Sequence, residues 1–105
     1  MKRCGIIGQG TDMELGKQVY ESIKKLITDG VTEFYSTGAN EFCGLCEKAA
    51  RELGAKIIFV PYSECDIEKR DLSRYSGMIC LFNIYSAIDV DATDRWIAEN
   101  CDVLL

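Results

Sequence analysis

Apolar residues alternate along this chain between two rhythms. Largely apolar runs at residues 3–8 (RCGIIG), 56–61 (KIIFVP) and 78–84 (MICLFNI) predict strands. Their continuity is the pattern of a parallel sheet covered on both faces. Phe34 and Tyr35 mark a further strand, and residues 102–105 (DVLL) a short last one. Between these runs, Leu15, Val19, Ile23, Leu26 and Ile27 recur at helical spacing, as do Phe42, Leu45, Cys46, Ala49, Ala50 and Leu53. Residues 89–99 predict a last helix with Trp96 and Ile97 facing inward.

The polar positions punctuate this alternation. Gly8, Gln9 and Gly10 form a turn that leads into Thr11-Asp12-Met13-Glu14, a capping box. Gly30 and Gly54 are the natural stops of the first two helices, and Asn100 is read as a left-handed stop of the last. Residues 64–75, highly charged, predict a short solvent-washed helix. Strand and helix thus alternate throughout, which predicts one domain over residues 1–105. Its class is α/β, a three-layer doubly wound, mostly parallel sheet of about five strands with right-handed crossovers. Ligands of such sheets bind beyond the carboxyl ends of the strands, near the switch in strand order. Four segments fall at that rim: residues 8–11, 36–40, 61–65 and 83–86.

Composition narrows the function. The net charge of −5 argues against a basic face for duplex nucleic acid or an anionic membrane, while leaving room for a small anion pocket. No apolar run approaches the roughly 18–20 residues of a membrane span, and the opening residues lead into a strand rather than a signal peptide. A cytoplasmic protein is expected. Six Cys in a chain without an export signal read as reduced thiols, and the absence of His excludes His-based catalysis and His metal ligands.

The stretch from Thr32 to Leu53 is central. Ser36, Thr37, Gly38, Ala39 and Asn40 form a small-residue turn between strand and helix, where backbone N–H groups at a helix start attract an anion. Ser36 and Thr37 would add hydroxyl donors, whereas Asn40 could simply cap the helix. Gly8, Gln9, Gly10 and Thr11 form the matching turn on the neighbouring strand, so both turns are expected to face one pocket. A different chemistry competes for the same stretch. Cys43 and Cys46 are a Cys-x-x-Cys pair near a helix start, suited to dithiol redox work or, with Cys65 and a carboxylate from Glu64 or Asp66, to zinc. Glu41 and Glu47 oppose thiolate formation, and Cys46 falls on the inward stripe. Asp89, Asp91 and Asp94 cluster at the start of the last helix as macrodipole partners or Mg²⁺ ligands, and Tyr62 and Tyr85 sit where a base could stack.

IIGQG at the first turn, STGANEFCGLCEKAAREL at the second and RWIAENCDVLL at the end resemble a compact SLOG-type domain of the YpsA-like group. The resemblance implies a Rossmann-like fold and a nucleotide or NAD-derived ligand at the glycine-rich turns. Gly8 matches the first motif, Ser36, Gly38 and Ala39 the second, and Arg95, Asn100 and Asp102 the terminal block. Arg95 would pair with a ligand phosphate. Gln9 and Gly10 stand where the group has His-Arg, Thr37 and Glu41 replace glycines, and Cys43 replaces an acidic residue. The Pro-Gly-Gly-x-Gly-Thr-x-x-Glu turn of the related phosphoribohydrolases is missing, which points to a binding module rather than an enzyme and leaves no catalytic residue to name. Two other outcomes stay open: a small thiol protein, and a ligand-free interaction unit that forms a homodimer.

Overall fold

The structure, a computed structural model, describes residues 2–8, 15–81 and 90–105. Among these, five strands build one sheet: β1 (Lys2–Ile6), β2 (Val31–Ser36), β3 (Lys56–Phe59), β4 (Gly77–Met78) and β5 (Val103–Leu104). Their order is β4-β3-β2-β1-β5, and every pairing is parallel. The helices are α1 (Leu15–Thr28), α2 (Glu41–Glu52), α3 (Glu64–Glu68) and α4 (Val90–Asn100), with a 3₁₀ turn at Leu72–Arg74. The expected α/β class and doubly wound layout are therefore present. None of the described helices is long and apolar enough to cross a membrane.

Side-chain alternation along the strands sorts the core into two layers. On one face, Cys4, Ile6, Phe34 and Ile57 pack against Val19 and Ile23 of α1 and against Cys43, Cys46, Ala49 and Ala50 of α2. On the other, Tyr35 packs with Val60, Leu81 and Ile97 of α4, and its ring stacks 6.1 Å from Trp96. Strands β1 to β4 step outward in one direction. The chain then returns to the far side of β1, so the switch in strand order lies between β1 and β5. Gly5 makes the close packing of α4 on β1 possible, because a Cβ there would lie 2.5 Å from the Ile97 Cγ2 methyl.

Three expectations are corrected. The helix expected over residues 64–75 stops at Glu68 and restarts as the 3₁₀ turn. Asp71 interrupts it: its carboxylate accepts from the Ser73 N–H at 3.1 Å and hydroxyl at 2.5 Å, a local bonding pattern that competes with helix. The fourth strand is two residues rather than seven, because β3 ends at Phe59, whose carbonyl takes one last N–H from Ile79 at 2.9 Å. Residues 82–84 of that expected strand lie outside the described residues. Asn100 is not left-handed: among the described residues only glycines have positive φ. Its amide donates back to the Trp96 carbonyl at 2.8 Å. The chain then joins β1 through Asp102, whose N–H donates to the Arg3 carbonyl and whose carboxylate accepts the Arg3 N–H at 2.9 Å. Gly30 and Gly54 do end their helices with positive φ, as expected.

Candidate functional site

The turn after β2 is built from short bonds to itself. The buried Ser36 hydroxyl accepts the Gly38 N–H at 3.1 Å, and Gly38 holds φ at +66°, a conformation that side chains disfavour. Thr37, also buried, keeps its hydroxyl 3.9 Å from the Cys43 sulfur. Asn40 sits in extended conformation as the N-cap of α2, with Oδ1 accepting the Cys43 N–H at 2.9 Å. Its amide also donates to the Gly8 carbonyl at 3.3 Å. One side chain thus joins the second predicted turn to Gly8, the described residue of the first. Gly8 is further tied to β5, since its N–H and that of Ile7 both donate to the Leu105 carbonyl, at 2.8 and 3.0 Å. The Phe42 ring covers Gly8 so closely that a Cβ would lie 2.8 Å from it.

A cavity of about 190 Å³ opens between α1 and α2, lined by Gln18, Val19, Ser22, Phe42, Cys46 and Leu105. On the other side of the turn, the Tyr62 hydroxyl donates to the Asp94 carboxylate at 2.7 Å. Burial, and then that bond, push the Tyr62 phenol up to about 12, while the Thr37 hydroxyl opposes the shift. Thr37, Tyr62 and Asp94 therefore form a polar collar that links the ends of β2 and β3 to α4. Tyr62 is anchored by its hydroxyl in this collar. Ala39 is exposed at the tip of the turn. Arg95 is exposed on α4, one residue past Asp94, and forms no ion pair among the described residues. Gln9, Gly10, Thr11, the capping box to Glu14, the 83–86 segment with Tyr85, and Asp89 all lie outside the described residues.

Cys43 and Cys46 are 1% and 0% exposed free thiols. Burial pushes the Cys46 thiol up to about 12, with Cys43, Cys4 and Glu47 adding to the shift, so it stays protonated. Cys65 is exposed on α3, and among the described residues no three Cys, Asp or Glu side chains gather to hold a metal ion. The alternative zinc set is not assembled.

The residue that sequence reasoning missed is Arg70. Its guanidinium donates to the Gly38 carbonyl and lies 5.8 Å from the Phe59 ring centre. A Cβ on Gly38 would fall 2.8 Å from the Arg70 Cζ, so a larger residue there would displace this guanidinium. The signal was present in the Lys69-Arg70 pair followed by Arg74, a basic concentration in an acidic chain.

No family model matches the chain, and no curated protein matches it in sequence. A solved structure does match: the X-ray structure of TM1055, a target of the Northeast Structural Genomics Consortium, with a TM-score of 0.70 at 17% identity. The match covers 99% of this chain and 59% of that one, so the chain spans about three-fifths of the length of TM1055. At that identity the likeness establishes the fold alone, a Rossmann-like α/β sheet.

Proposed function

We propose that this chain is a binding domain for a small nucleotide-type anion, a nucleotide or NAD-derived ligand held at the carboxyl ends of β1 and β2, with no bond made or broken. The observation that carries the reading is the Asn40 side chain, which caps α2 with its oxygen and holds the Gly8 carbonyl with its amide. Gly8, the second small-residue turn and a helix start thereby come together beside the switch between β1 and β5, which supports this reading. Open α/β sheets take ligands at such a switch, and the N–H groups that open a helix favour phosphate. Arg70, bonded to the Gly38 carbonyl, adds a cation beside the turn. The absence of His and the protonated state of Cys46 support binding over covalent chemistry. Within this reading the chain is a divergent SLOG-type domain of the YpsA-like group, for which the Rossmann-like fold speaks. Its free thiols suit the reducing cytoplasm.

The test is a thermal-shift titration with ADP-ribose and AMP on the parent chain and on Ala39→Glu. Ala39 is exposed, and an acid beside a helix start is tolerated, so the variant keeps its melting temperature while repelling a phosphate. A ligand at a hundredfold excess over Kd adds about 2.7 kcal/mol to the parent. A melting point unmoved by either nucleotide, or moved equally in Ala39→Glu, refutes the reading.

A further inference from the structure

A second cavity, about 350 Å³, lies between α2 and the segment that follows α3 and meets the rim turn through Arg70. One wall is a single face of α2: Gly44, Glu47 and Arg51, at spacings of three and four residues. Gly44 leaves that wall open, since a Cβ there would meet nothing within 4 Å. The opposite wall is Lys69, Arg70, Asp71, Arg74 and Tyr75. The volume is within the roughly 300–1,000 Å³ range of small-molecule sites.

Glu47 is 5% exposed and lies beside the Tyr75 phenol, which burial first and Glu47 second raise above the usual phenol range. The Tyr75 ring stacks 4.6 Å from Phe59, whose ring also carries Arg70. Both carboxylates of the lining thus face neighbours of their own, Glu47 the Tyr75 phenol, and Asp71 both Ser73 and, at 3.5 Å, Arg74. Four cationic side chains against these two carboxylates leave a surplus of two positive charges, in a chain of net charge −5. Arg51 and Lys69 have no acidic partner among the described residues.

We propose that this cavity is a binding site for a phosphate monoester of sugar-phosphate size, with the phosphate held by Arg51 and Lys69 and flanked by Arg70. Guanidinium groups match phosphate oxygens in paired, charge-assisted bonds, and the surplus of two charges matches a phosphate dianion. The cavity is larger than inorganic phosphate alone would fill, which assigns the rest of the space to an attached sugar or polyol. This site goes beyond the rim reading and shares only Arg70 with it.

The experiment is isothermal titration of the full chain with ribose 5-phosphate, inorganic phosphate and ribose, in the parent, in Arg51→Ala/Lys69→Ala and in Ala39→Glu. The parent is expected to bind ribose 5-phosphate more tightly than inorganic phosphate and to ignore ribose. The double variant loses roughly tenfold or more in affinity, as expected for two lost charge contacts, while Ala39→Glu binds like the parent. Arg51 and Lys69 are exposed, and a melting curve checks that the double variant stays folded. Absence of binding overturns the proposal, as does affinity unchanged in the double variant. Equal affinity for inorganic phosphate overturns the monoester assignment. Binding lost in Ala39→Glu but kept in the double variant moves the phosphate to the rim and overturns the second site while leaving the first.

Discussion

Replacing Gly5 by Ala tests how closely α4 must approach β1. The added Cβ would lie 2.5 Å from Ile97 Cγ2, 3.0 Å from Leu104 Cδ2 and 3.3 Å from the Cys101 sulfur. Ile97 is fully buried, so its methyl cannot swing into solvent. Either α4 moves outward or Ile97 leaves its rotamer, and such overpacking typically costs about 1–3 kcal/mol. Removing a strand glycine returns about 0.5–1 kcal/mol of backbone entropy, so the net destabilisation is about 0–2.5 kcal/mol, centred near ~1 kcal/mol. For a domain of this size the central value lowers the melting temperature by about 4–8 °C.

Circular dichroism melts of the parent, Gly5→Ala and Gly5→Ala/Ile97→Leu read this out. Leucine lacks the β-branch methyl that meets the new Cβ, so the double variant recovers part of the loss. Outward movement of α4 would also pull Asp94 from Tyr62, since both contacts are made by this helix. A Gly5→Ala chain that melts at or above the parent refutes the packing argument. No rescue by Ile97→Leu refutes the assignment of the clash to that methyl.

Two further outcomes follow from the bonds of the site and its surroundings. Asn40→Ala removes both the α2 cap and the tether to Gly8, and is expected to cost about 1–2 kcal/mol in urea denaturation. Asn40→Asp keeps the acceptor and loses only the amide donor, so it retains most of that stability yet weakens nucleotide binding, and equal stability loss in the two variants would count against the cap. Stability should also fall as the solution becomes alkaline. Cys4 and Cys46, ordinarily at 9.0, are pushed up to about 12, mainly by burial, so the folded chain keeps protons that the unfolded chain releases. Their contribution is complete below pH 9 and is lost as pH rises toward 12. A urea midpoint that stays flat over that window in the parent, or falls as steeply in Cys46→Ala, contradicts this.

Much of the scaffold was legible because the relevant signals are local. Uninterrupted apolar runs announce strands covered on both faces, and β1 and β3 form where such runs stand. Asn40 declared itself as a cap by preceding an apolar stripe at helical spacing. The errors arose where short-range side-chain bonds won. Asp71 bonding Ser73 ends a helix that its charge pattern would continue, and the Asn100 amide bonds its own helix instead of letting the backbone turn left-handed. Long-range reach was also hidden. Nothing local to Arg70 says that its guanidinium will cross to Gly38, a contact 32 positions away. Its charge pattern alone therefore predicts solvated surface, although the cluster lines a cavity. The thiol pair illustrates the reverse: Cys-x-x-Cys spacing suggests chemistry, but the helical stripe turns Cys46 into the core.

The pairing of β1 with β5 has a consequence in time. Cys4 meets Val103 and Gly5 meets Leu104, while Arg3 and Asp102 exchange bonds across 99 positions. During synthesis at about 5–20 residues per second, β1 precedes its outer neighbour by about 5–20 s. In the later part of that interval β1, β2, β3, α1 and α2 are all complete, so the layer around Phe34 can close. The layer around Tyr35 cannot, because Ile97 arrives only with α4. For those seconds the nascent chain carries a half-covered sheet with one open parallel edge, and its most vulnerable moment comes late, just before the last strand docks.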